Sequence, residues 1–299
     1  MKLRGPAAAI AVITVVILAA AVTVLHMGGA VILNPKGMVA DQERTLLIVA
    51  TGLSLLVIIP VFIMTLVITW RYRETNTKAT YQPNWDRSRT AETIWWLIPT
   101  ALILALSIIT WQSSHSLDPA KALASSTPPI TVQVIALDWK WLFIYPDQHV
   151  ASVNMVQFPE GTPVHFVITS DAPMNSFWIP ALGGQIYAMP GMSTQLNLMA
   201  NTTGDFKGSS ANISGVGFAS MRFVARSSSQ LAFEQWVAAA KASGNALTQA
   251  SYDQLAKPSS NNAVKVYTLT DRSLYDRTVM KYMMPLPQSS ELGSYGSTQ

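Results

Sequence analysis

Two long apolar runs constrain this chain more than any other feature. Leu46 to Trp70 holds no charged side chain. As a helix rising ~1.5 Å per residue it spans ~37 Å, more than the ~30 Å of bilayer hydrocarbon. Ile94 to Trp111 is a second uncharged run. Pro60 and Pro99 fall inside these runs, which a membrane helix tolerates. Asp41-Gln42-Glu43-Arg44 forms a polar break before the first run. Between the runs lie Arg71, Arg73, Lys78, Arg87 and Arg89, against Glu74, Asp86 and Glu92. That basic excess predicts a cytoplasmic loop, and Trp70, Tyr72, Trp95 and Trp96 mark the aromatic boundary. Everything from Gln112 onward is then periplasmic. The charged fraction is 12%, about half that of a soluble domain. Lys2 and Arg4 precede an earlier apolar run, from about Pro6 to Leu25. It reads equally as a cleaved secretory signal, with small residues at Ala19–Ala21 or Gly28–Ala30, and as a retained anchor.

Composition removes several chemistries. There is no cysteine, so disulfides, zinc-thiolate sites, thiol catalysis and a lipid-modified N-terminal Cys are excluded. His26, His115, His149 and His165 are scattered without metal-ligand spacing. The net charge is +4, but no Lys/Arg stripe interleaves with aromatics, so no nucleic-acid partner is expected.

After a Ser/Ala/Pro linker the hydrophobic period changes from helical to two. Ile130, Val132 and Val134 alternate with polar residues; Trp139, Trp141 and Phe143 follow after a shift. Val164, Phe166 and Ile168 alternate, as do Leu196 and Leu198, then Met221 and Phe223. Turn residues between such runs predict an antiparallel Greek-key β-sandwich of seven or eight strands. Beyond Arg226 the period is helical again. Phe233, Trp236, Val237 and Ala240 share one face, with Ser229 as cap and Gly244 as stop. Tyr252 and Leu255 predict a second helix ended by Pro258; Leu274, Tyr275, Val279, Met280 and Met283 predict a third. The organisation expected is a signal or extra anchor over 1–33, a transmembrane helical hairpin over 34–115, a linker over 116–128, a β domain over 129–227, a helical extension over 228–284 and a disordered tail over 285–299. The fold class is membrane α + β.

The stretch from Gly204 to Phe223 is rich in Gly and Ser, as a loop is. Its spacing is unusual: Ser210 and Ser214 are four apart, Phe218 follows four later, and Met221 three after that. It resembles the copper loop of the haem-copper oxidase subunit II family, in which these positions read Cys, Cys, His and Met and hold two copper ions. Asp171 to Pro180 resembles the family segment that supplies the first copper histidine, and Asn175 stands there. Asn212 stands where the family binds copper through a glutamate's backbone carbonyl. Copper of this kind needs soft thiolate and imidazole ligands, and only Met221 remains. The resemblance therefore implies no metal in this chain. It points to the family's quinol oxidase branch, of the bo type, which keeps the loop without the copper. Asn34-Pro35-Lys36-Gly37 and Gly183 to Met192 also follow the family, as does the cupredoxin-like layout of the β domain.

The family resemblance carries further expectations. The segment Ala136 to Pro146 is similar to the family's aromatic strand; without copper, Trp139 and Trp141 are expected to be packing residues rather than an electron path. Glu92 aligns with a carboxylate that stands at the mouth of a proton channel of subunit I; the local alternative is an acid favoured by the helix dipole. The complex would oxidise ubiquinol, reduce oxygen to water and pump protons. Haems and copper would lie in subunit I, subunits III and IV and membrane lipid would be partners, and cytochrome c would not. The location would be the bacterial inner membrane. The rival readings are a copper-bearing cytochrome c oxidase subunit II and a blue-copper carrier, which lack their ligand sets here, and a membrane-anchored periplasmic scaffold or assembly protein.

Overall fold

A computed structural model describes residues 23, 30–80 and 86–283. The N-terminal apolar run, Thr23 apart, and the tail from Pro285 lie outside the described residues. The chain divides into two units, one of residues 42–118 and one that joins the chain up to Asp41 with Pro119 onward.

The first unit is built on two helices, α1 (Met38–Arg71), which enters it at Gln42, and α2 (Arg89–Ser116), each long and apolar enough to cross a membrane. Their side chains are exposed along the apolar stretches, including Phe62, Leu97 and Leu104. A helix that is hydrophobic all round has lipid or protein as its solvent. The polar break at Asp41–Arg44 does not interrupt α1, which already begins at Met38. Asp41 in its first turn suits the positive end of the helix dipole. Pro60 and Pro99 are accommodated inside the helices.

The second unit is a two-sheet sandwich. Its strands are β1 (Ile130–Leu137), β2 (Lys140–Tyr145), β3 (Val150–Val153), β4 (Met155–Pro159), β5 (Val164–Ser170), β6 (Asn175–Trp178), β7 (Gln185–Ala188), β8 (Thr194–Leu198), β9 (Gly204–Ser210), β10 (Arg222–Ser228), β11 (Ala246–Leu247) and β12 (Lys265–Leu269). One sheet runs β11-β12-β3-β2-β1-β5-β8 and the other β4-β10-β9-β6-β7. The pairing is mixed, where the sequence predicted antiparallel strands. β1 pairs parallel to β5, Val132 opposite Phe166, and β10 pairs parallel to β4. Side chains alternate with period two in both arrangements, so periodicity cannot report direction.

The two faces of the larger sheet explain its apolar strands. Trp141, Phe143 and Tyr145 of β2 point into the sandwich with Val132, Val134 and Ala136 of β1. Leu142 and Ile144 point the other way, with Ile135 and Leu137, against Leu247, Tyr252, Leu269, Leu274 and Tyr275. β2 is buried along its whole length, which is why it reads as a continuous apolar run. The C-terminal extension holds α3 (Gln230–Lys241), α4 (Gln249–Ala256) and α5 (Leu274–Met280); α4 and α5 cover this outer face, whereas α3 adds Phe233 and Ala240 to the core on the sandwich side. Ser229 caps α3, its Oγ accepting from Ala232 N, and Gly244 lies beyond the helix end at φ 72°. The extension is not wholly helical. β11 and β12 complete the larger sheet, β12 pairing with β3 through Val266 and Ser152.

Residues 36–41 belong with the sandwich. Lys36 N donates to Ala181 O at 2.8 Å, Ala40 N to Leu182 O at 3.1 Å, and Gly37 bridges Ala200.

Candidate functional site: a metal loop without metal ligands

β6, β9 and the start of β10 bring the copper-loop positions together at one end of the smaller sheet. Asn175 opens β6 and is buried. Ser210 closes β9. The Ser210 hydroxyl lies 3.0 Å from Asn175 Oδ1 and 3.1 Å from the Asn212 carbonyl, sharing one proton between two acceptors. Asn175 Nδ2 donates to Pro173 O at 2.7 Å, and Asn212 Nδ2 to Met174 O at 2.9 Å. Ser210 N donates to Met221 O at 3.2 Å, and Ala211 N to Ser176 O at 3.0 Å. The loop therefore closes through neutral hydrogen bonds between the groups that stand in ligand positions.

Ser214 Oγ is buried with no hydrogen-bond partner among the described residues. Phe218 begins a short 3-10 turn, Phe218–Ser220, its N donating to Gly215 O at 3.2 Å. The Met221 side chain is buried in the sandwich core. Among the described residues no three His, Asp or Glu side chains converge on one point. A hydroxyl, an amide and a phenyl ring supply neither the charge nor the soft donors that a copper pair requires. These residues do not fit the metal.

Both aromatic-strand tryptophans pack. Trp139 is not in the strand; it occupies the two-residue turn between β1 and β2 at φ 61°, a conformation uncommon outside glycine. Its Nε1 donates to Ser214 O at 3.3 Å. A Cβ at Gly217 would lie 2.2 Å from the indole, so only glycine lets the loop lie flat on Trp139. Trp141 is fully buried, edge-on to Phe177 at 5.3 Å and to Phe223 at 5.8 Å.

One buried carboxylate was named in the sequence only as part of a motif. Asp171, at the end of β5 and four residues before Asn175, accepts from Tyr252 OH at 2.7 Å, Tyr282 OH at 2.6 Å and Lys281 Nζ at 2.7 Å. Its side chain is 2% exposed. The hydrogen bond to Asp171 holds the Lys281 ammonium above the usual lysine range, and burial pushes the Tyr252 phenol up. Because Tyr252, Lys281 and Tyr282 lie about 80 to 110 residues downstream, no periodicity announces the cluster. Its effect is to tie the C-terminal extension to the segment that leads into Asn175.

Glu92 belongs to the other unit. Ser88 caps α2, with its Oγ accepting from Ala91 N at 3.4 Å and its carbonyl from Glu92 N at 2.9 Å. Glu92 thus sits in the first helical turn, exposed, with Oε1 3.8 Å from Arg87 Nε. An exposed pair of this kind contributes at most about 1 kcal/mol.

Fold and loop together define a class: a membrane-anchored, cupredoxin-like subunit whose metal loop has lost its ligands. Residues 148–228 match the family described as cytochrome c oxidase subunit II, periplasmic domain, and residues 241–285 match the COX aromatic rich motif. The chain is 51% identical over 251 residues to cytochrome bo(3) ubiquinol oxidase subunit 2 of Pseudomonas putida, covering 84% of this chain and 80% of that one. It is 49% identical over 260 residues to the protein of that name in Pseudomonas aeruginosa, covering 86% and 78%. Ubiquinol oxidase subunit 2 of Acetobacter aceti is 46% identical over 253 residues, covering 84% and 82%. This chain belongs to the ubiquinol oxidase subunit 2 family.

Proposed function

We propose that this chain is subunit II of a proton-pumping haem-copper quinol oxidase of the bo type, and that it carries no redox centre of its own. The Ser210–Asn175 hydrogen bond at 3.0 Å carries the reading. It joins the positions at which copper-bearing relatives hold the metal, and it needs none. Kinship with quinol oxidase subunits supports the same conclusion. A complex fed by membrane quinol has no use for a copper relay or a dock for cytochrome c. Haems and the remaining copper then belong to subunit I, with subunits III and IV completing the complex in the bacterial inner membrane. The sandwich lies in the periplasm, anchored by α1 and α2. Its work is to cover and support subunit I.

The experiment is purification of the tagged chain from membranes. Haem and subunit I copper are expected to co-purify, with ubiquinol oxidised and reduced cytochrome c ignored. A mixed-valence copper pair in the preparation, or electron entry from cytochrome c, would overturn the assignment.

Within that complex Glu92 is the proton-entry residue of this chain. An exposed carboxylate at the cytoplasmic start of a membrane helix collects protons from water and delivers them to a buried path. Glu92→Ala is expected to slow quinol oxidation about tenfold, equivalent to ~1.4 kcal/mol of barrier, with haem content unchanged. A merely local role at the helix dipole predicts normal turnover and a small loss of stability. Normal turnover in a fully assembled variant would remove the proton-entry role.

A further inference from the structure

The end of α1 is more ordered than a generic basic loop. Helix C-termini expose carbonyls and repel anions. Here the last two of those carbonyls are already occupied by side chains. Arg73 Nη1 donates to Trp70 O at 2.7 Å, and the Asn76 side-chain amide donates to Arg71 O. Arg73 is fixed further: its Nε donates to Thr75 Oγ1 at 3.1 Å, and its guanidinium lies 4.9 Å from the Trp70 ring centre. Asn76 N donates to Arg73 O at 2.9 Å, and Asn76 Oδ1 accepts from Lys78 N at 3.2 Å. The chain is thereby folded into a tight cap that carries Arg71, Arg73 and Lys78. Arg71 and Lys78 have no side-chain partner among the described residues, and Glu74 is the one carboxylate in the segment. Directly before the cap, Trp70 is 71% exposed, and Phe62, Leu66 and Val67 are exposed along the helix.

We propose that this cap is a headgroup site for an anionic phospholipid of the membrane leaflet at the C-terminal end of α1. The proposal rests on the membrane placement argued above. Three cations against one carboxylate leave a net positive charge that attracts the single negative charge of a phosphodiester, and a guanidinium seated on an indole is pre-organised for it. The exposed apolar side chains preceding the cap supply a track for the acyl chain. Clusters of Lys and Arg just beyond a membrane helix attract anionic lipid in this way.

The test uses the intact complex, delipidated in detergent and titrated with phosphatidylglycerol, bound lipid being counted by native mass spectrometry. Phosphatidylcholine and inorganic phosphate are the controls. One phosphatidylglycerol is expected to be lost in Arg71→Gln/Arg73→Gln/Lys78→Gln. Arg73→Lys keeps charge and topology but loses the fork; its affinity at this site is expected to fall about threefold, about 0.65 kcal/mol at RT ≈ 0.59 kcal/mol. Equal phosphatidylglycerol occupancy in wild type and both variants would overturn the proposal. So would displacement by inorganic phosphate, or an acidic segment of another subunit cross-linking to Lys78. Haem content and quinol turnover are measured on the same samples, so failure of the oxidase assignment would show there and not in the lipid count.

Discussion

Trp141→Ala is expected to destabilise the β domain by about 4 kcal/mol, the range for truncating a large buried aromatic. Trp141 is fully buried and sits against Phe177 and Phe223, which stack on each other at 5.1 Å. Phe143 and Phe166 complete the cluster against Phe177, at 6.2 and 5.2 Å. Alanine would leave a cavity between the two sheets that neither can close. On this side β2 faces packed rings, and on the other Leu142 and Ile144 face the C-terminal extension. The thermal midpoint of the detergent-solubilised protein, followed by its β-sheet circular dichroism, should fall by about 10 °C. Trp141→Phe separates volume from polarity. The buried indole N–H has no hydrogen-bond partner among the described residues, so its removal recovers a desolvation cost. That variant should therefore lose less than about 1.5 kcal/mol. A Trp141→Ala midpoint within a degree of wild type would show that the two sheets are not held by this cluster.

The legible parts of the sequence were those where one physical rule acts over many residues. The membrane helices announce themselves because no charge interrupts Leu46 to Trp70. The caps at Ser229 and the stop before Pro258 were visible because such residues bond to their own neighbourhood. Strand direction was not visible, since Val132 opposite Phe166 leaves the same alternation in either pairing. The strand Lys265–Leu269 lies within the stretch whose period predicts helices, although Val266 and Thr268 carry a β-branched, period-two signal. The alternation of Trp139, Trp141 and Phe143 predicts a strand through Trp139, because an indole at φ 61° has no local signature. Its reason lies in Ser214 and Gly217, some 75 residues away. The site itself divides in the same way. Asn175, Ser210, Asn212 and Met221 stand together in a copper-binding pattern by resemblance alone, and the hydrogen bonds that join them through Ser210 leave no mark in the sequence. The Asp171 cluster had no pattern to betray it, because its partners come from the far end of the chain.

Loss of the metal leaves a mechanical question: what holds the loop region without it. Two kinds of link are present. Neutral hydrogen bonds close the loop on itself, and Asp171 ties the approach to Asn175 onto the extension through Tyr252, Lys281 and Tyr282. The extension is in turn fastened to the larger sheet by a buried amine at the start of β2.

That amine gives the second large effect. Lys140 is 1% exposed, and its Nζ donates to Leu255 O at 2.8 Å and Lys257 O at 2.7 Å. These carbonyls end α4, where helices leave acceptors unpaired. Lys140→Met keeps the packing volume and removes the donor. The Leu255 and Lys257 carbonyls then lose their ammonium donor, two charge-assisted bonds whose loss is expected to cost about 3 kcal/mol and to loosen the extension first, as faster amide exchange in α4. Burial lowers the Lys140 pKa from 10.5, with the Asp138 carboxylate opposing more weakly. Between the lowered value and 10.5 the unfolded chain therefore binds more protons than the folded one, and stability from this group rises with pH. Below that window both states are protonated and the contribution is flat. The difference in thermal midpoint between wild type and Lys140→Met should thus stay constant near neutrality and widen as the pH approaches about 10.5. A difference that narrows instead would mean that the two carbonyls hold Lys140 as a stabilised ammonium, and that attraction to them outweighs the cost of burying the charge.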